Sequence, residues 1–482
     1  MAASIPLVSP NTPPRQIAAL LLLSAIAYWP AWQSFFVKDD LTLITSADLD
    51  LAAALQHAWP GGFFRPAGEL VFAIQHQFFG LYPLPYHLMS FIAHSAAVLF
   101  AYHLFRLFPH YRAIALWAAV LFAIHPLNTE TVSWISGQLS LYATLCALAT
   151  LYLLATSRPL FALLPVFLLG LGFYENFLLV IPLAAVCYWG LQRPRMRLRP
   201  LHLIVLGCCA LIYLYWRFVG LGLSGGNYQA SLSFKSAIVN LAYYLYLLAG
   251  GSAIGGRIIH YRPAEIGDHF FAVLTPLLLL NIIIILLYLL YLRREKSSSP
   301  ARLLLPLCWI IIALLPVLIL PERPRRLSYL AVPGFALAMG QILYYLQKKI
   351  RPGSFLAKAG IAVYILVLVS TLHLRNRDWQ QAGTLEHFLP AAIEPTCRQV
   401  AFDVPNLLGD ALFFSNISTA QWIQLSGADA PTVYTALELL DQQQQIAPGC
   451  YYRYDNGIIR AKTIATQQSI IFSRGRNWAQ TH

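Results

Sequence analysis

Charged residues are scarce in this chain, where they make up 11% of 482 residues against 58% hydrophobic residues. Soluble proteins carry about a quarter charged residues, so a chain this apolar could not keep its whole surface in water. Recognisable soluble-enzyme motifs are also lacking: we find no glycine-rich phosphate loop, zinc-ligand spacing, nucleophile elbow or dinucleotide fingerprint. These absences exclude an ordinary soluble protein and argue against a soluble nucleotide as a donor substrate.

The basic residues outnumber the acidic ones, 33 to 20, which gives a net charge of +13. A basic balance of this kind can indicate nucleic-acid binding. Here, however, the Lys and Arg residues cluster in short loops between apolar runs, which is the pattern of cytoplasmic loops in membrane proteins. The sequence therefore predicts a lipid bilayer as the partner and no nucleic acid.

Long apolar runs predict an all-α polytopic membrane protein, since a helix needs about 20 apolar residues to cross a bilayer. We predict about eleven transmembrane helices near residues 16–36, 86–107, 113–126, 131–156, 159–174, 176–191, 201–218, 269–292, 302–320, 327–346 and 355–373. A cytoplasmic N-terminus then places every dense basic loop inside. Residues 236–255 are also apolar, but a span there would break this pattern, so we predict an external interfacial or re-entrant helix.

The predicted transmembrane domain covers residues 1–375, with external loops at 37–85 and 219–268. From Arg375 onward the composition becomes more polar. Residues 376–482 are predicted to form a small extracytoplasmic α+β domain.

Within this C-terminal domain, residues 378–389 suggest an amphipathic helix, and residues 432–445 suggest a polar helix. Residues 451–460 predict a hairpin that turns at Asn456-Gly457. Cys397 and Cys450 are the only two cysteines of the domain. They pair if the domain faces an oxidising compartment and otherwise remain two thiols.

The acidic residues are distributed asymmetrically. Ten precede residue 321, and only Glu295 of these falls on the predicted inner side. The other nine are external: Asp39, Asp40, Asp48, Asp50, Glu69, Glu130, Glu175, Glu265 and Asp268. The positive-inside rule says little about acidic residues, so chemistry on the outer face is one explanation.

Two neighbouring carboxylates, Asp39 and Asp40, directly follow the first predicted span. Their repulsion raises the pKa of one of them, which suits a general base or a cation site. The alternative is ordinary solubility at the membrane interface. A divalent cation at this pair is a secondary possibility, and the scattered histidines do not predict a structural metal.

Two further external turns carry confined polar groups. His125 and Glu130 lie in a tight turn between two spans, and Glu175 lies between two spans with almost no linker. Ionisable groups so near the hydrocarbon are costly unless they are paired or used. The alternatives are a packing role for His125 and stabilisation of the next helix N-terminus by Glu130.

Arginines on the outer side oppose the positive-inside trend. Guanidinium groups at the lipid boundary suit an anionic lipid head such as a polyprenyl phosphate, which they can bind through two hydrogen bonds. Anchoring to ordinary phospholipid headgroups is the alternative. The arginines in question are Arg65, Arg217, Arg323, Arg325 and Arg326.

In this order the residues resemble the transmembrane O-mannosyltransferases of the GT-C superfamily, which usually carry tetratricopeptide repeats. The most specific segment is 125–137, with the sequence HPLNTETVSWISG. The other similar segments are 37–40, 64–66, 80–105, 174–176, 215–217, 326–334 and 375–379. The chain departs from the family at Asn128, where a histidine is common, and at Leu139-Ser140, where a charged pair is common. The repeats expected after Trp379 are absent.

The resemblance implies an enzyme that transfers a sugar from a polyprenyl phosphate to an acceptor hydroxyl on the outer face of the membrane, with inversion. It makes Asp40 or Asp39 the catalytic base, and Glu130 and Glu175 residues that orient the donor or the acceptor. The residues implied to hold the lipid phosphate or support its site are Arg65, Arg217, Arg326, Arg325, Tyr329 and His125. No cofactor is implied, because arginines can neutralise a monophosphate leaving group.

The implied partners are the lipid-linked sugar donor, a protein or glycan acceptor, and the bilayer. We expect a bacterial inner membrane with the N-terminus cytoplasmic and the C-terminal domain periplasmic. The alternatives are a lipid-linked oligosaccharide polymerase or ligase, and a flippase or transporter. Transporters place ionisable groups near the bilayer midplane, whereas the acidic groups here lie at one boundary.

Overall fold

The computed structural model describes residues 14–56, 62–190, 200–223, 233–261, 266–267, 269–294, 301–321, 323–349, 355–394, 396–404, 407–426, 432–435, 450–455 and 458–462. Most of this part of the chain is helical. The helices of its first half are α1 (Pro14–Tyr28), α2 (Asp40–Thr45), α3 (Leu51–Ala54), α4 (Pro66–Phe79), α5 (Pro83–Leu107), α6 (Ala115–Ala123), α7 (Thr129–Val132), α8 (Gln138–Ala155), α9 (Leu160–Phe173) and α10 (Val180–Gly190).

The helices of the second half are α11 (Pro200–Tyr215), α12 (Phe234–Leu248), α13 (Ala253–Tyr261), α14 (Phe270–Val273), α15 (Pro276–Arg294), α16 (Ala301–Leu318), α17 (Val332–Lys349), α18 (Phe355–Ala392) and α19 (Asn416–Leu425). A π-helical turn, Trp216–Gly220, extends α11. Single 3₁₀ segments cover Ala31–Gln33, Pro126–Asn128, Ile135–Gly137, Glu175–Leu179 and Arg325–Ala331.

Within the described residues, five helical segments are long and apolar enough to cross a bilayer: Pro83–Leu107, Ile135–Ala155, Leu201–Gly220, Arg325–Gln347 and Lys358–Ala392. Shorter helices occupy the other predicted spans. The prediction of a multi-pass helical membrane protein is therefore confirmed, and the exact number of spans stays a prediction. The first predicted span is helical only as far as Tyr28, because Pro30 follows and the chain then turns.

Small residues let neighbouring helices approach closely in the core. Ala97 and Ala101 of α5 are fully buried, as are Ala118 and Ala119 of α6. A Cβ atom at Gly340 of α17 would lie 3.1 Å from the backbone nitrogen of Ala118. Small residues at such positions are the usual means by which membrane helices pack, since lipid supplies no hydrophobic drive between them.

Helix α18 joins the membrane body to the C-terminal region without a break. Its 38 residues extend about 57 Å at 1.5 Å per residue, about twice the thickness of the hydrocarbon core. The predicted span at 355–373 and the predicted helix at 378–389 are therefore one helix. The predicted domain boundary at residue 375 lies inside it.

Beyond α18, four strands form a sheet in the order β4-β1-β5-β6. The strands of this part are β1 (Gln399–Asp403), β2 (Leu407–Leu408), β3 (Ala411–Leu412), β4 (Thr432–Thr435), β5 (Tyr451–Asp455) and β6 (Ile458–Lys462). Strand β1 is parallel to β4 and β5, while β5 and β6 are antiparallel, as the predicted hairpin requires. The turn of this hairpin, 456–457, lies outside the described residues.

The prediction of a helix at 432–445 is wrong at its start, where β4 lies. Residues 432–435 read Thr-Val-Tyr-Thr, and β-branched and aromatic residues favour strands. The rest of that predicted helix lies outside the described residues. Cys397 and Cys450 form a disulfide next to the paired strands β1 and β5, so the paired alternative is the one found.

The C-terminal region packs on the first external loop. Val37 and Trp134 of the body share a buried cluster with Trp379, Phe402 and other residues of the C-terminal region. Helix α19 also contacts α2: the hydroxyls of Thr42 and Ser418 are 2.9 Å apart. This packing holds the Asp39-Asp40 segment between the membrane helices and the sheet.

Candidate active site

Asp40 is the most deeply buried carboxylate of the external loop, with 1% of its surface exposed. Lys38 adopts a left-handed backbone conformation, φ +53°, which a lysine rarely adopts without constraint from its surroundings. The turn directs Asp40 inward at the start of α2. Its Oδ1 accepts hydrogen bonds from the Ser136 backbone NH, at 2.8 Å, and from the Ser136 hydroxyl.

The second carboxylate oxygen of Asp40, Oδ2, accepts a hydrogen bond of 3.0 Å from the backbone NH of Val37. Burial raises the pKa of Asp40 to about 7, although these hydrogen bonds act in the opposite direction. A carboxyl group with this pKa can serve as a general base near neutral pH. Asp39 is only partly buried and makes no side-chain cap on α2, so the two carboxylates have different environments.

Glu130 is held by two consecutive arginines. Its Oε2 accepts a hydrogen bond of 2.8 Å from Arg325 Nε, and its Oε1 accepts one of 3.1 Å from Arg326 Nη1. Burial alone would raise the pKa of Glu130, but the two guanidinium groups outweigh it and lower the pKa. Glu130 is therefore an ionised, oriented carboxylate.

The Arg326 guanidinium also lies 5.1 Å from the ring centre of Trp134. The Trp134 indole NH donates to the carbonyl of Val37 at 3.3 Å, and Ser136, two residues on, holds Asp40. Gly137 completes this segment, because a side chain there would collide with the backbone carbonyl of Glu130. The segment 125–137, the most specific of the sequence motifs, thus joins Glu130 to Asp40.

Glu175 forms a second cluster with Arg65 and Arg217. It is ion-paired with Arg217 Nη1 and lies 3.7 Å from Arg65 Nη2. The Arg65 guanidinium is stacked between two rings, 4.2 Å from the centre of Phe63 and 3.9 Å from that of Tyr174. Two cations against one carboxylate leave a formal charge of +1.

This second cluster holds polar atoms with unused hydrogen-bonding capacity. Four are buried without a hydrogen-bond partner in the described part of the chain: Arg65 Nε, Arg65 Nη2, Arg217 Nε and the Tyr174 hydroxyl. Buried donors of this kind are normally satisfied, by protein, water or a ligand. The excess positive charge and the unused donors together favour an anionic ligand.

The elements that carry the two clusters are in contact. Helix α2, which begins with Asp40, packs against α4, and Arg65 is the N-cap residue of α4. Trp216, next to Arg217, donates a hydrogen bond of 3.0 Å to the carbonyl of Leu55 in the 37–85 loop. These contacts connect the loop that holds Asp40 with the residues around Glu175. A single site that contains Asp40, Glu130 and Glu175 stays a prediction.

His125 and Tyr329 are used inside the protein. The two ring nitrogens of His125 contact the carbonyl of Leu248, at 3.0 Å, and the backbone NH of Leu127, at 3.2 Å. The Tyr329 hydroxyl lies 2.6 Å from His94 Nδ1 in the core. These contacts fit packing and capping roles. Substrate binding by these two residues stays a prediction.

Sequence reasoning missed Asp410, Arg375 and Ser136. Asp410 Oδ2 lies 2.7 Å from Arg375 Nε, and its Oδ1 lies 3.5 Å from Arg325 Nη1. Arg375 and Ser136 lie within segments 375–379 and 125–137, which resemble the O-mannosyltransferases, so the resemblance could have identified them. No sequence feature identifies Asp410, because its partners are distant in sequence and its surroundings match no motif.

A cavity of about 840 Å³ runs along α18 and ends near this network. Its lining mixes apolar and polar side chains along the helix. The apolar ones include Leu366, Val367, Leu374 and Leu385, and the polar ones include Ser370, Thr371, Arg375, Asp378, Gln380, Gln381 and Thr384.

Among the described residues, no group of three or more His, Cys, Asp or Glu is placed to hold a metal ion.

No protein-family model matches the chain. The protein O-mannosyl-transferase F38B6.6 of Caenorhabditis elegans is 29% identical over 190 residues, which are 35% of this chain and 27% of that protein. The protein O-mannosyl-transferase TMTC3 of Mus musculus is 26% identical over 149 residues, 28% of this chain and 16% of that protein. The chain thus matches less than a third of the length of these relatives. The resemblance to O-mannosyltransferases that the motifs predict is confirmed.

Two solved structures are similar at a lower level. ArnT from Cupriavidus metallidurans, bound to undecaprenyl phosphate, is 11% identical with a TM-score of 0.41, over 91% of this chain and 92% of ArnT. The Archaeoglobus fulgidus oligosaccharyltransferase, tethered with an acceptor peptide, is 14% identical with a TM-score of 0.40, over 87% of this chain and 63% of its own.

Proposed function

We propose that the chain is a GT-C-type membrane glycosyltransferase that moves a sugar from a polyprenyl phosphate to an acceptor hydroxyl. The observation that carries this proposal is the Arg65–Glu175–Arg217 cluster, with its net positive charge and unused buried donors. The helix that Asp40 begins packs against the helix that Arg65 caps. A leaving phosphate and a base for the attacking hydroxyl are the two requirements of the reaction.

The phosphate is placed at Arg65 and Arg217. Their unused Nε donors, the second donor of Arg65 and the Tyr174 hydroxyl can all bind phosphate oxygens. Glu175 holds the two guanidinium groups close together and partly neutralises them, so that the site binds a phosphodiester and still releases the product phosphate. Donors fixed before the reaction stabilise the charge that develops on the leaving group.

Asp40 acts as the base. Its Oδ2 accepts one hydrogen bond in the described structure, which leaves that oxygen able to accept the proton of the acceptor hydroxyl. The hydroxyl oxygen attacks the anomeric carbon, the bond from that carbon to the phosphate oxygen breaks, and the lipid phosphate leaves with the electron pair. A single displacement of this kind inverts the anomeric centre. Glu130, fixed by Arg325 and Arg326, orients a sugar hydroxyl.

The cavity along α18 offers a second surface for a lipid-linked substrate. Its apolar residues, such as Leu366 and Leu374, can contact a polyprenyl chain, and its hydroxyl groups, such as those of Ser370 and Thr384, can hydrogen-bond to a sugar. The residues that line it are separate from Arg65 and Arg217, where we place the phosphate. The names of the sequence relatives favour mannose as the sugar and a protein hydroxyl as the acceptor.

We place the reaction on the extracytoplasmic face of a bacterial inner membrane, with about eleven spans and a C-terminal α+β domain outside. The Cys397–Cys450 disulfide supports this orientation, because disulfides persist in oxidising compartments. Helix α12 supports it as well. Its Asn240 side chain, midway along the helix, donates to the carbonyl of Leu320 at 2.8 Å, and the carbonyl of its last residue, Leu248, contacts His125. The second half of the helix therefore lies near the predicted outer loops.

The proposal is tested by mass spectrometry of cell-envelope glycoconjugates from a deletion strain and its parent. We expect one sugar to be missing from a protein or glycan in the deletion strain and restored by the wild-type gene. An unchanged glycoconjugate profile, together with accumulation of no lipid-linked sugar, would overturn the proposal. Accumulation of lipid-linked oligosaccharide on the inner leaflet would instead favour the flippase alternative.

A further inference from the structure

Asp410 lies in the tight turn between β2 and β3 and enters the membrane body, where only 4% of its surface remains exposed. Its Oδ1 accepts a hydrogen bond of 2.8 Å from the backbone NH of Ala253. Its Oδ2 lies 2.7 Å from Arg375 Nε. Its backbone carbonyl accepts a hydrogen bond of 2.6 Å from Arg325 Nη2, and its backbone NH donates one of 2.8 Å to Asp378.

The turn is shaped for this insertion. Gly409 has φ +60°, which glycine adopts without strain, and a side chain at this position would collide with the carboxylate of Asp378. Residue 410 therefore approaches the body as closely as the backbone allows. Its contacts reach three separate elements: the first residue of α13, the Arg325–Ala331 segment and α18.

Arg325 connects this turn to the candidate active site. Its Nε donates to Glu130 at 2.8 Å, while Nη1 lies 3.5 Å from Asp410 Oδ1 and Nη2 donates to the Asp410 carbonyl. Of the three guanidinium nitrogens of Arg325, only Nε contacts Glu130. Both Nη1 and Nη2 contact Asp410, which therefore keeps them away from Glu130.

We propose that Asp410 is a positioning residue, which fixes the orientation of Glu130 through Arg325, so that the C-terminal region completes the active site. This inference rests on the proposed function. Without the Asp410 carboxylate, Arg325 and Arg375 lose a shared buried counter-ion. Arg325 then turns towards Glu130, competes there with Arg326, and moves the carboxylate that orients the sugar.

A purely structural role would be to anchor the sheet to the body. The structure offers a matched control for that role. The Tyr452 hydroxyl of β5 accepts a hydrogen bond of 2.9 Å from the backbone NH of Glu394, just past the end of α18, and Tyr452 is almost fully buried. Tyr452→Phe removes this anchor and keeps the ring, and the hydrogen bond that it removes involves none of the residues around Asp40 or Glu130.

The test compares Asp410→Asn, Asp410→Glu and Tyr452→Phe in a transfer assay with purified full-length protein and a polyprenyl-phosphate mannose donor. We expect Asp410→Asn to lower kcat about tenfold, which is about 1.4 kcal/mol in the barrier, with little change in donor KM. Asp410→Glu should recover part of the loss. Tyr452→Phe should lower the thermal unfolding temperature and leave kcat unchanged.

A double-mutant cycle shows whether the effect passes through Arg325. In an Arg325→Lys background, Asp410→Asn should lower kcat by much less than tenfold, since interacting residues are not additive. Equal effects in both backgrounds, or a loss of kcat in Tyr452→Phe as large as in Asp410→Asn, would overturn the inference. If the wild type is active and the kcat of Asp410→Asn equals that of the wild type, the role of Asp410 is refuted and the proposed function stands. A wild type without transferase activity would refute the proposed function and this inference with it.

Discussion

At the residue scale, the chemistry depends on how differently two buried carboxylates, Asp40 and Glu130, are held. Asp40 has hydrogen-bond donors around it and no cation in direct contact among the described residues, so burial keeps its pKa near 7. Glu130 has two arginines and a lowered pKa. Carboxylates with such different environments suit different roles, one as a proton acceptor and the other as a permanent anion.

The role of Asp40 predicts the effect of its amide. Asp40→Asn keeps the size of the side chain and removes the base, so we expect kcat to fall by a factor of about 10² or more, the usual contribution of a general base. Asp39→Asn is the matched control and should change kcat by less than about threefold. Both are measured in the purified transfer assay, with thermal unfolding to confirm folding. Near wild-type activity in both variants would remove the proposed base.

The pKa of Asp40 also predicts the pH dependence. A base must be deprotonated, and burial raises the pKa of this group to about 7. We therefore expect kcat/KM to rise with pH up to about 7 and then to level off. The donor phosphodiester does not titrate in this range. Asp39→Asn should keep an acid limb but move it slightly to lower pH, because the Asp39 charge contributes to the raised pKa of Asp40. A profile that is flat from about pH 5 to 8 would exclude Asp40 as the base.

Arg65 provides a test of the phosphate site. Arg65→Lys keeps the charge but loses the planar group that stacks between Phe63 and Tyr174, and arginine and lysine are not equivalent at stacked sites. We expect the donor KM to rise about tenfold, equivalent to about 1.4 kcal/mol. Arg112→Lys, at an exposed arginine, is the control. An unchanged donor KM in Arg65→Lys would remove Arg65 from the site.

The sequence could predict the members of these clusters better than their pairing. Charges that oppose the positive-inside trend marked Arg65, Arg217 and Arg325, and confinement between spans marked Glu175. Which arginine faces which carboxylate depends on tertiary packing. Asp410 could not be found, because it is 85 residues from Arg325 and lies in a region that only the three-dimensional structure brings back to the body.

At the element scale, local patterns predicted most helices and the β5–β6 hairpin correctly. The predictions are wrong where one helix continues through a change of composition and where a short polar run fits either a helix or a strand. The change from apolar to polar residues predicts two helices, at 355–373 and 378–389, but the helical propensity continues and α18 is one helix. Strand β4 was assigned to a helix because its four residues are too few to show a period of two.

Gly137 tests the segment that joins Glu130 to Asp40. Gly137→Ala would place a methyl group against the backbone carbonyl of Glu130, which cannot yield as a flexible side chain does. We expect this variant to lower both the unfolding temperature and kcat. Gly207→Ala is the control, since a Cβ atom there meets nothing within 4 Å, and alanine favours a helix over glycine by up to about 1 kcal/mol. Equal behaviour of the two variants would contradict the close packing at Gly137.

At the scale of the whole molecule, the C-terminal region and the first external loop form one buried cluster with Trp134 and Trp379. The composition predicted the membrane body and a more polar C-terminal region. The composition could not predict that these two parts pack together, because an apolar residue such as Val37 or Phe402 does not indicate which other residues bury it. This docking is what places Asp410 next to the Glu130 network.

The central claim is that the Asp40 and Glu175 clusters face the same aqueous compartment. It is tested most directly by labelling single cysteines with a membrane-impermeant maleimide in intact cells, in a variant that lacks the five free cysteines. Cysteine is introduced at three positions: Ser46, which follows α2, Asn176, which follows Glu175, and the exposed His110, which lies just after the C-terminal end of α5. We predict that Ser46→Cys and Asn176→Cys react from outside, whereas His110→Cys reacts only after permeabilisation. Labelling of Ser46→Cys and Asn176→Cys from opposite sides would contradict a single active site.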